Sequence, residues 1–301
     1  MRWTPFRLKH SGSTKNWLAR QFKDPFVRKR FEDPAHYRSR AAYKLLDIDS
    51  MYKILDKPDV RAVVDLGAAP GSWSQVAAAK VGTLGLSAGP ERAAIDQVRV
   101  EKRVLRGEDF GLREDAKSAK AGKEAVTWSG GDIYDFDVDN DAAAADVQTN
   151  AGRDRGGKVV IALDRLRIPP IRGVYTLQMD FLGPDAAPTI ASLLPDGKAD
   201  VILSDMAANA SGFYVRDSAM SLEICEAVYQ FTERHLRTAR EVGRDRAGVL
   251  VLKHFVHPVL TDFRKTFLEP NFRNVFFVKP EASRKDSTEA YWVCLGWKGV
   301  N

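Results

Sequence analysis

Residues 63–73 read Val-Val-Asp-Leu-Gly-Ala-Ala-Pro-Gly-Ser-Trp. The β-branched apolar residues that open this stretch predict a buried strand, which ends near the acidic residue Asp65. The small residues that follow predict a loop, and residues 72–81 have the pattern of a helix. Such a joint lets the backbone approach a ligand without Cβ clashes and points the N-terminus of a helix at it.

The spacing of small residues in this joint separates it from two common nucleotide-binding motifs. The dinucleotide pattern G-x-G-x-x-G is absent, and so is the G-K-[ST] ending of a phosphate-binding loop. An aspartate followed by G-A-A-P-G resembles motif I of S-adenosylmethionine (SAM) methyltransferases instead. The alternative is a plain structural turn between a strand and a helix. The resemblance implies SAM contacts from Asp65, Gly67, Ala69, Pro70, Gly71, Ser72 and Trp73.

Strand and helix patterns alternate along the chain, which is typical of a doubly wound α/β sheet. Strands are predicted over 60–66, 158–163, 174–180, 200–205, 248–255, 272–279 and 289–297. Helices are predicted near 39–55, 72–81, 216–240 and 258–269. The expected fold is therefore a Rossmann-like SAM-dependent methyltransferase fold. Its seven-stranded, mostly parallel sheet has an antiparallel last strand and helices on both faces.

Residues 82–157 interrupt this alternation, and we interpret them as an insertion within a domain over residues 36–301. The insertion is expected to be partly helical and partly disordered. Its alternating aspartates between Asp132 and Asp141 lack the sixth-position Gly and terminal Glu of a calcium-binding EF-hand. They indicate a solvated acidic loop. Residues 1–35 form a basic N-terminal arm before the domain.

Composition excludes several classes of protein. No apolar run approaches the roughly 20 residues that cross a bilayer, so no membrane span is predicted. Cys225 and Cys294 lie far apart, without the spacing of a zinc site or a disulfide framework, and no metal site is predicted.

The positive charge is concentrated in the arm. The net charge of the chain is +6, yet residues 1–44 alone hold 12 Lys/Arg against 3 Asp/Glu. A basic arm beside a nearly neutral domain is typical of a protein that binds RNA. Residues 1–23 contain no acidic residue and several hydroxyl residues, which is also the composition of a mitochondrial presequence. Both interpretations stay open and are compatible.

Three aspartates come at or near the ends of predicted strands, where ligands bind in open α/β sheets. Asp164 is placed to accept hydrogen bonds from the ribose hydroxyls of SAM, and Asp180 from its adenine amino group. Asp205 is a third candidate for contact with SAM. Strand-end capping is the alternative for each of them taken alone.

Three further strings carry a more specific resemblance. They are S-R-A-A-Y-K-L at 39–45, S-D-M-A-A-N-A-S-G at 204–212 and K-P-E-A-S-R at 279–284. With motif I they resemble the FtsJ-like (RrmJ-type) rRNA 2′-O-ribose methyltransferases over roughly residues 36–81 and 158–298. Residues 17–27 resemble the mitochondrial large-subunit branch of that family, which implies the mitochondrial matrix. Ala208 departs from the family pattern, which has proline there.

The resemblance implies a catalytic Lys-Asp-Lys-Glu tetrad, with matching residues Lys44, Asp205, Lys253 and Glu289. A ribose hydroxyl is a poor nucleophile and benefits from a base with a pKa near the working pH. We expect Lys253 to be that base, with its pKa lowered by the like charge of Lys44. Asp205 and Glu289 would orient the lysines. Solvated surface lysines are the alternative for single positions.

The predicted function is methylation of a ribose 2′-hydroxyl in mitochondrial large-subunit rRNA, or in the assembling large subunit, on a uridine. The protein is expected to act as a monomer and not on DNA. Basic and aromatic residues of the arm are candidates for RNA contact, as are Arg38 and Arg40 just after it and Arg284 and Lys285. The alternatives are a non-catalytic RNA-binding ribosome-assembly factor and a ribose methyltransferase for tRNA or an mRNA cap.

Overall fold

The structure is a computed structural model of the chain and describes residues 24–85, 157–207, 214–284 and 287–300. The chain divides into two units, and the unit of residues 37–89 and 149–301 holds the sheet. Of the other unit, residues 24–36 are described, with helix α1 (Pro25–Glu32). Asp24 caps α1, because its carboxylate accepts hydrogen bonds from the backbone N–H groups of Phe26 and Val27.

Seven strands form one sheet in the order β3-β2-β1-β4-β5-β7-β6. They are β1 (Ala62–Leu66), β2 (Val159–Asp164), β3 (Tyr175–Gln178), β4 (Val201–Ser204), β5 (Val249–Phe255), β6 (Phe272–Val278) and β7 (Glu289–Trp297). Neighbours pair in parallel, except that β7 is antiparallel to β5 and to β6. The strand order reverses between β1 and β4, which is the switch point where ligands bind in such sheets.

Helices cover both faces of this sheet. They are α2 (Ala42–Tyr52), α3 (Ser72–Val81), α4 (Ala186–Leu193), α5 (Tyr214–His235), α6 (Ala239–Val242), α7 (Pro258–Phe263) and α8 (Glu269–Asn271), with a π-helical turn over Arg264–Leu268. Short 3₁₀ turns lie at Thr83–Gly85 and Pro195–Gly197.

The core consists of two apolar clusters. Val63 packs in the cluster to which α2 and α3 contribute, whereas its neighbours Ala62 and Val64 pack in the cluster that includes residues of α4, α5 and α7. Successive residues of a strand point to opposite faces, so the two clusters lie on the two faces of the sheet. Burial on both faces explains why β1, β2 and β4 are mostly apolar rather than alternating.

The predicted fold class is confirmed, including the antiparallel last strand. Element ends differ: β3 stops at Gln178, two residues before Asp180, and the predicted helix 216–240 ends at His235. The helix α4 was not expected from the sequence, although its Pro188 lies in the first turn, where proline is tolerated.

Some predictions lie outside the described residues, namely those for the arm over 1–23 and for nearly all of the insertion over 82–157. Within the described ranges, no helix is both long and apolar enough to cross a membrane.

Candidate active site

The four residues of the predicted tetrad come from four separate elements and meet at the carboxyl edge of the sheet. Lys44 lies on α2, Asp205 directly follows β4, Lys253 lies on β5 and Glu289 opens β7. Parallel pairing of β4 with β5 sets Asp205 beside Lys253, and antiparallel pairing brings Glu289 back to the same edge. The register of β4, β5 and β7 therefore brings Asp205, Lys253 and Glu289 together.

The side chains of this tetrad are paired by charge. Nζ of Lys44 is 2.8 Å from Oε1 of Glu289, and Nζ of Lys253 is 3.1 Å from Oδ1 of Asp205 and 3.7 Å from Oε2 of Glu289. The side chains are only 8–18% exposed. Two cations and two anions thus neutralise one another in a mostly buried cluster, which limits the cost of burying each charge.

Tyr291 completes this cluster and was missed by the sequence analysis. Its hydroxyl donates to Oδ1 of Asp205 at 2.6 Å and accepts from Nζ of Lys44 at 3.2 Å. It stands opposite Lys253 in the β5–β7 pairing and two residues after Glu289, so both side chains point to one face of β7. That period of two is the sequence signal that could have found it.

The electrostatics of the tetrad differ from the expectation. Burial alone would lower the pKa of Lys253, but the carboxylates of Asp205 and Glu289 outweigh it and raise that pKa above its ordinary value. Burial raises the pKa of each carboxyl group, yet the lysines overcome it, and the pKa values of Asp205 and Glu289 are lowered. The prediction of a lowered pKa for Lys253 was wrong, because the carboxylates of Asp205 and Glu289 outweigh the effect of burial.

The cofactor loop, residues 67–71, lies beside the cluster at the switch point of the sheet. Gly67 has φ +73°, and an added Cβ would lie 3.1–3.2 Å from backbone atoms of Met206 as well as against its side chain. Gly71 has φ +106° and is the N-cap residue of helix α3. Two backbone conformations that L side chains rarely adopt thus shape the loop, as its glycines predict.

The carboxylates of Asp65 and Asp164 adjoin this loop. Asp65 is fully buried, its Oδ2 accepts a hydrogen bond from Ser74 at 2.5 Å, and its Oδ1 has no partner among the described residues. Burial raises the pKa of Asp65 to about 7, with smaller contributions from the charges of Asp205 and Asp164. An acid-lined site with an unpartnered buried acceptor fits SAM, whose sulfonium and amino groups are cationic.

The other predicted cofactor residues hold the local backbone. Asp164 accepts from the N–H groups of Ala69, at 2.9 Å, and Leu166, at 2.8 Å. Asp180 is half-exposed and accepts from the N–H of Leu182 at 3.0 Å. A carboxylate offers about four acceptor positions, so both retain acceptor capacity.

The predicted cofactor residue Trp73 has a buried side chain. It is 2% exposed and packs in the core, where its indole N–H donates to the carbonyl of Ala41. Ser72 is buried as well, and its hydroxyl lies 2.7 Å from that of Ser39. The backbone of these two residues stays beside the loop, at the start of α3.

A pocket of about 230 Å³ opens next to the cluster and is lined by Arg40, Arg284, Ser287 and Glu289. Its two arginines fit an anionic substrate group such as a phosphate. Lys285 and Ala208 lie outside the described residues. Within the described ranges, no group of three or more His, Cys, Asp or Glu side chains could hold a metal ion.

A Rossmann-like sheet with an antiparallel last strand and an acid-lined loop at its switch point are the features of a SAM-dependent methyltransferase. Residues 37–147 and 141–297 match the family described as FtsJ-like methyltransferase. The chain belongs to that family.

Curated relatives agree with this assignment. The ribosomal RNA large subunit methyltransferase E of Rhodopseudomonas palustris (strain BisB5) is 34% identical over 96% of this chain and 87% of its own length. The protein of the same name from Nitrobacter hamburgensis is 32% identical over 96% of this chain and 90% of its own length. A crystal structure of a putative ribosomal RNA methyltransferase from Plasmodium falciparum shares the fold, with a TM-score of 0.53 and 21% identity over 88% of this chain and 100% of that chain.

Proposed function

We propose that the protein transfers a methyl group from SAM to a ribose 2′-hydroxyl of large-subunit ribosomal RNA. The observation that carries this proposal is the buried Lys-Asp-Lys-Glu cluster at the edge of an acid-lined cofactor loop. Relatives named as large-subunit rRNA methyltransferases support the choice of RNA. Because DNA has no 2′-hydroxyl, the same site would find no acceptor on DNA.

Each part of the site has a proposed task. When bound, SAM supplies a methyl group on a positively charged sulfur. Asp65, Asp164 and the loop backbone hold that cofactor, and Asp180 is proposed to accept from its adenine. Nζ of Lys253 takes the proton from the 2′-hydroxyl, and Asp205 with Glu289 stabilises the ammonium group that results. Lys44 holds Glu289 in place.

The raised pKa of Lys253 has a consequence for this mechanism. The lysine is protonated at neutral pH, so it must release a proton before it can accept one from the substrate. The fraction of the enzyme with a neutral lysine then grows about tenfold for each pH unit below that pKa. We therefore propose that turnover is faster in mildly alkaline solution.

The finer identity of the substrate is also a proposal. We propose a uridine, on the resemblance carried by the strings at 39–45 and 204–212.

We propose the mitochondrial matrix as the compartment, which the basic, acid-free composition of residues 1–23 supports. Import of the full chain into isolated mitochondria tests this, with the six Lys/Arg of that stretch changed to Gln as the control. Equal uptake of both chains, or of neither, would contradict the compartment.

One experiment tests the reaction itself. The full chain is incubated with labelled SAM and unmodified large-subunit rRNA, either naked or in assembling subunits, and the digested RNA is analysed by mass spectrometry. We expect label in 2′-O-methyluridine, with none from Lys253→Ala. RNA binding without transfer would favour a non-catalytic assembly factor, and transfer only to tRNA or capped mRNA would favour the other enzyme function. Light scattering of the same preparation tests the proposed monomer.

A further inference from the structure

Arg38 lies just before α2, and its side chain connects two separate loops. One guanidinium nitrogen donates to the carbonyl oxygens of Pro70, at 2.9 Å, and Pro169, at 2.6 Å, and the other donates to Pro170 at 2.7 Å. Burial of the guanidinium lowers the pKa of Arg38 to about 10. A rigid fork of N–H donors can satisfy three carbonyls at once, whereas a lysine ammonium offers a single point of charge.

Both connected loops border the cofactor site. Pro70 belongs to the cofactor loop, and Pro169 and Pro170 belong to the segment between β2 and β3 that follows Asp164. These loops are also linked by the hydrogen bond from the N–H of Ala69 to Asp164, and the side chains of Ile168 and Ile171 lie against Gly71. Arg38 also lies close against the cofactor loop, since a Cβ added at Gly71 would be 3.1 Å from Nη1.

The segment around Arg38 continues this connection toward the tetrad. The N–H of Arg38 donates to the side chain of Gln75 at 2.9 Å, and the carbonyl of Ala41 accepts from the indole of Trp73 at 2.7 Å. Residues 38–41 are thus bound to the start of α3, directly after the cofactor loop, and lead into α2 with Lys44. One continuous set of contacts joins the cofactor loop to the lysine that holds Glu289.

We propose that Arg38 is a positioning residue for SAM binding rather than a contact for RNA. It holds the cofactor loop against the segment after β2 and fixes that loop relative to Lys44. Arg40, two residues further on, lines the pocket beside Glu289 instead. Two neighbouring arginines of one basic stretch thus serve the two substrates separately. The inference rests on the proposed function only for the identity of the second substrate.

Dissociation constants for SAM and for large-subunit rRNA, measured separately by calorimetry and filter binding, test this division. For Arg38→Ala we expect about tenfold weaker SAM binding, the size of effect of losing hydrogen bonds to a charged group, and RNA binding within twofold of wild type. Arg38→Lys keeps the charge without the fork and is expected to weaken SAM binding nearly as much. Arg40→Ala is the matched control, with weaker RNA binding and unchanged SAM binding.

Each outcome of this experiment decides the inference. Unchanged SAM binding in Arg38→Lys, or a loss of RNA binding in Arg38→Ala that equals the loss in Arg40→Ala, would overturn it. If Arg38→Ala does not fold, as judged by circular dichroism and thermal unfolding, Arg38→Lys decides by the same criterion. SAM binding is measured without RNA, so wild type that binds SAM but transfers no methyl group would refute the proposed function and leave the role of Arg38 intact.

Discussion

The cofactor loop and the tetrad lie at the same edge of the sheet but hold charge in opposite ways. Around the loop, Asp65 and Asp164 are acidic groups without a basic partner in the described ion pairs, and Asp65 is fully buried. In the tetrad, every carboxylate is matched by a lysine within 4 Å. The two carboxylates beside the loop therefore have no cationic partner among the described ion pairs, and a cationic cofactor can supply one, whereas each charged group of the tetrad already has an oppositely charged partner.

The largest expected effect comes from breaking the tetrad at its base. Lys253→Ala should lower kcat at least about a thousandfold, because the proposed proton acceptor and the partner of two carboxylates are both lost. SAM affinity should stay within about threefold, since no loop contact changes. Single-turnover transfer to rRNA measures the rate of methyl transfer, and calorimetry measures the affinity for SAM.

The exposed Lys265→Ala, which removes the same charge from the surface, is the control and should behave like wild type. The pH profile of wild-type kcat/KM adds a second test, because the pKa of Lys253 in the free enzyme is raised. We expect the rate to rise up to at least pH 9. A plateau already at neutral pH would show that another group accepts the proton.

Asp65→Asn should separate stability from function in the loop. The pKa of Asp65 is raised by burial to about 7, above the unfolded value of about 3.9. The folded protein therefore loses stability as pH rises between these values, and no more above them. A neutral asparagine avoids this loss, so the free energy of unfolding should increase by about 2–4 kcal/mol at pH 8.

Urea unfolding at pH 5 and pH 8 measures this effect, and the gain should be smaller at pH 5. SAM binding should weaken at the same time, since the variant has no anion to offer the cationic cofactor. If the asparagine variant is less stable than wild type at pH 8, the buried carboxylate has a stabilising partner. That result would contradict the proposed role of Asp65.

The comparison also explains how far the sequence could predict the site. The loop consists of consecutive residues. Its backbone conformation requires the glycine at 67, and the acidic residue at 65 stands out in an apolar strand, so the sequence alone indicates both. The tetrad depends on the pairing of β4, β5 and β7, and only the family resemblance brought its members together. The sign of the pKa shift of Lys253 could not be predicted, because it depends on distances to carboxylates that lie 36 or more residues away in the chain.

The roles of Arg38 and Tyr291 could not be predicted from the sequence either. Arg38 lies in a basic stretch typical of RNA-binding proteins, and nothing in the local sequence distinguishes it from Arg40. Its side chain nevertheless binds loop carbonyls, whereas Arg40 lines the pocket. Tyr291 is an apolar-looking strand residue whose hydroxyl matters only through its partners. Side-chain direction and long-range pairing decide both roles.

Tyr291→Phe should loosen the tetrad without removing any charge. Its hydroxyl is the bridge between Lys44 and Asp205, and the phenylalanine keeps the packing. We expect kcat to fall about tenfold with KM for SAM unchanged, and a loss of about 1 kcal/mol in the free energy of unfolding. Tyr229→Phe is the matched control: its buried hydroxyl accepts from Asn271 outside the site, so the stability should fall similarly and kcat should not. Equal kcat values for the two variants would remove Tyr291 from the tetrad.

The smallest expected effect is that of Asp164→Asn, which changes one acceptor at the loop. Both carboxylate oxygens accept backbone N–H groups, and an amide can accept only one of these while its NH₂ faces the other. The loop should shift, and SAM binding should weaken about fivefold with RNA binding unchanged. Asp33→Asn makes the same substitution at a carboxylate that accepts from the N–H of Ala35 outside the site, and should leave both affinities as they are. If Asp164→Asn binds SAM as wild type does, the carboxylate of Asp164 is only a strand-end cap, and cofactor recognition depends on the charge of Asp65.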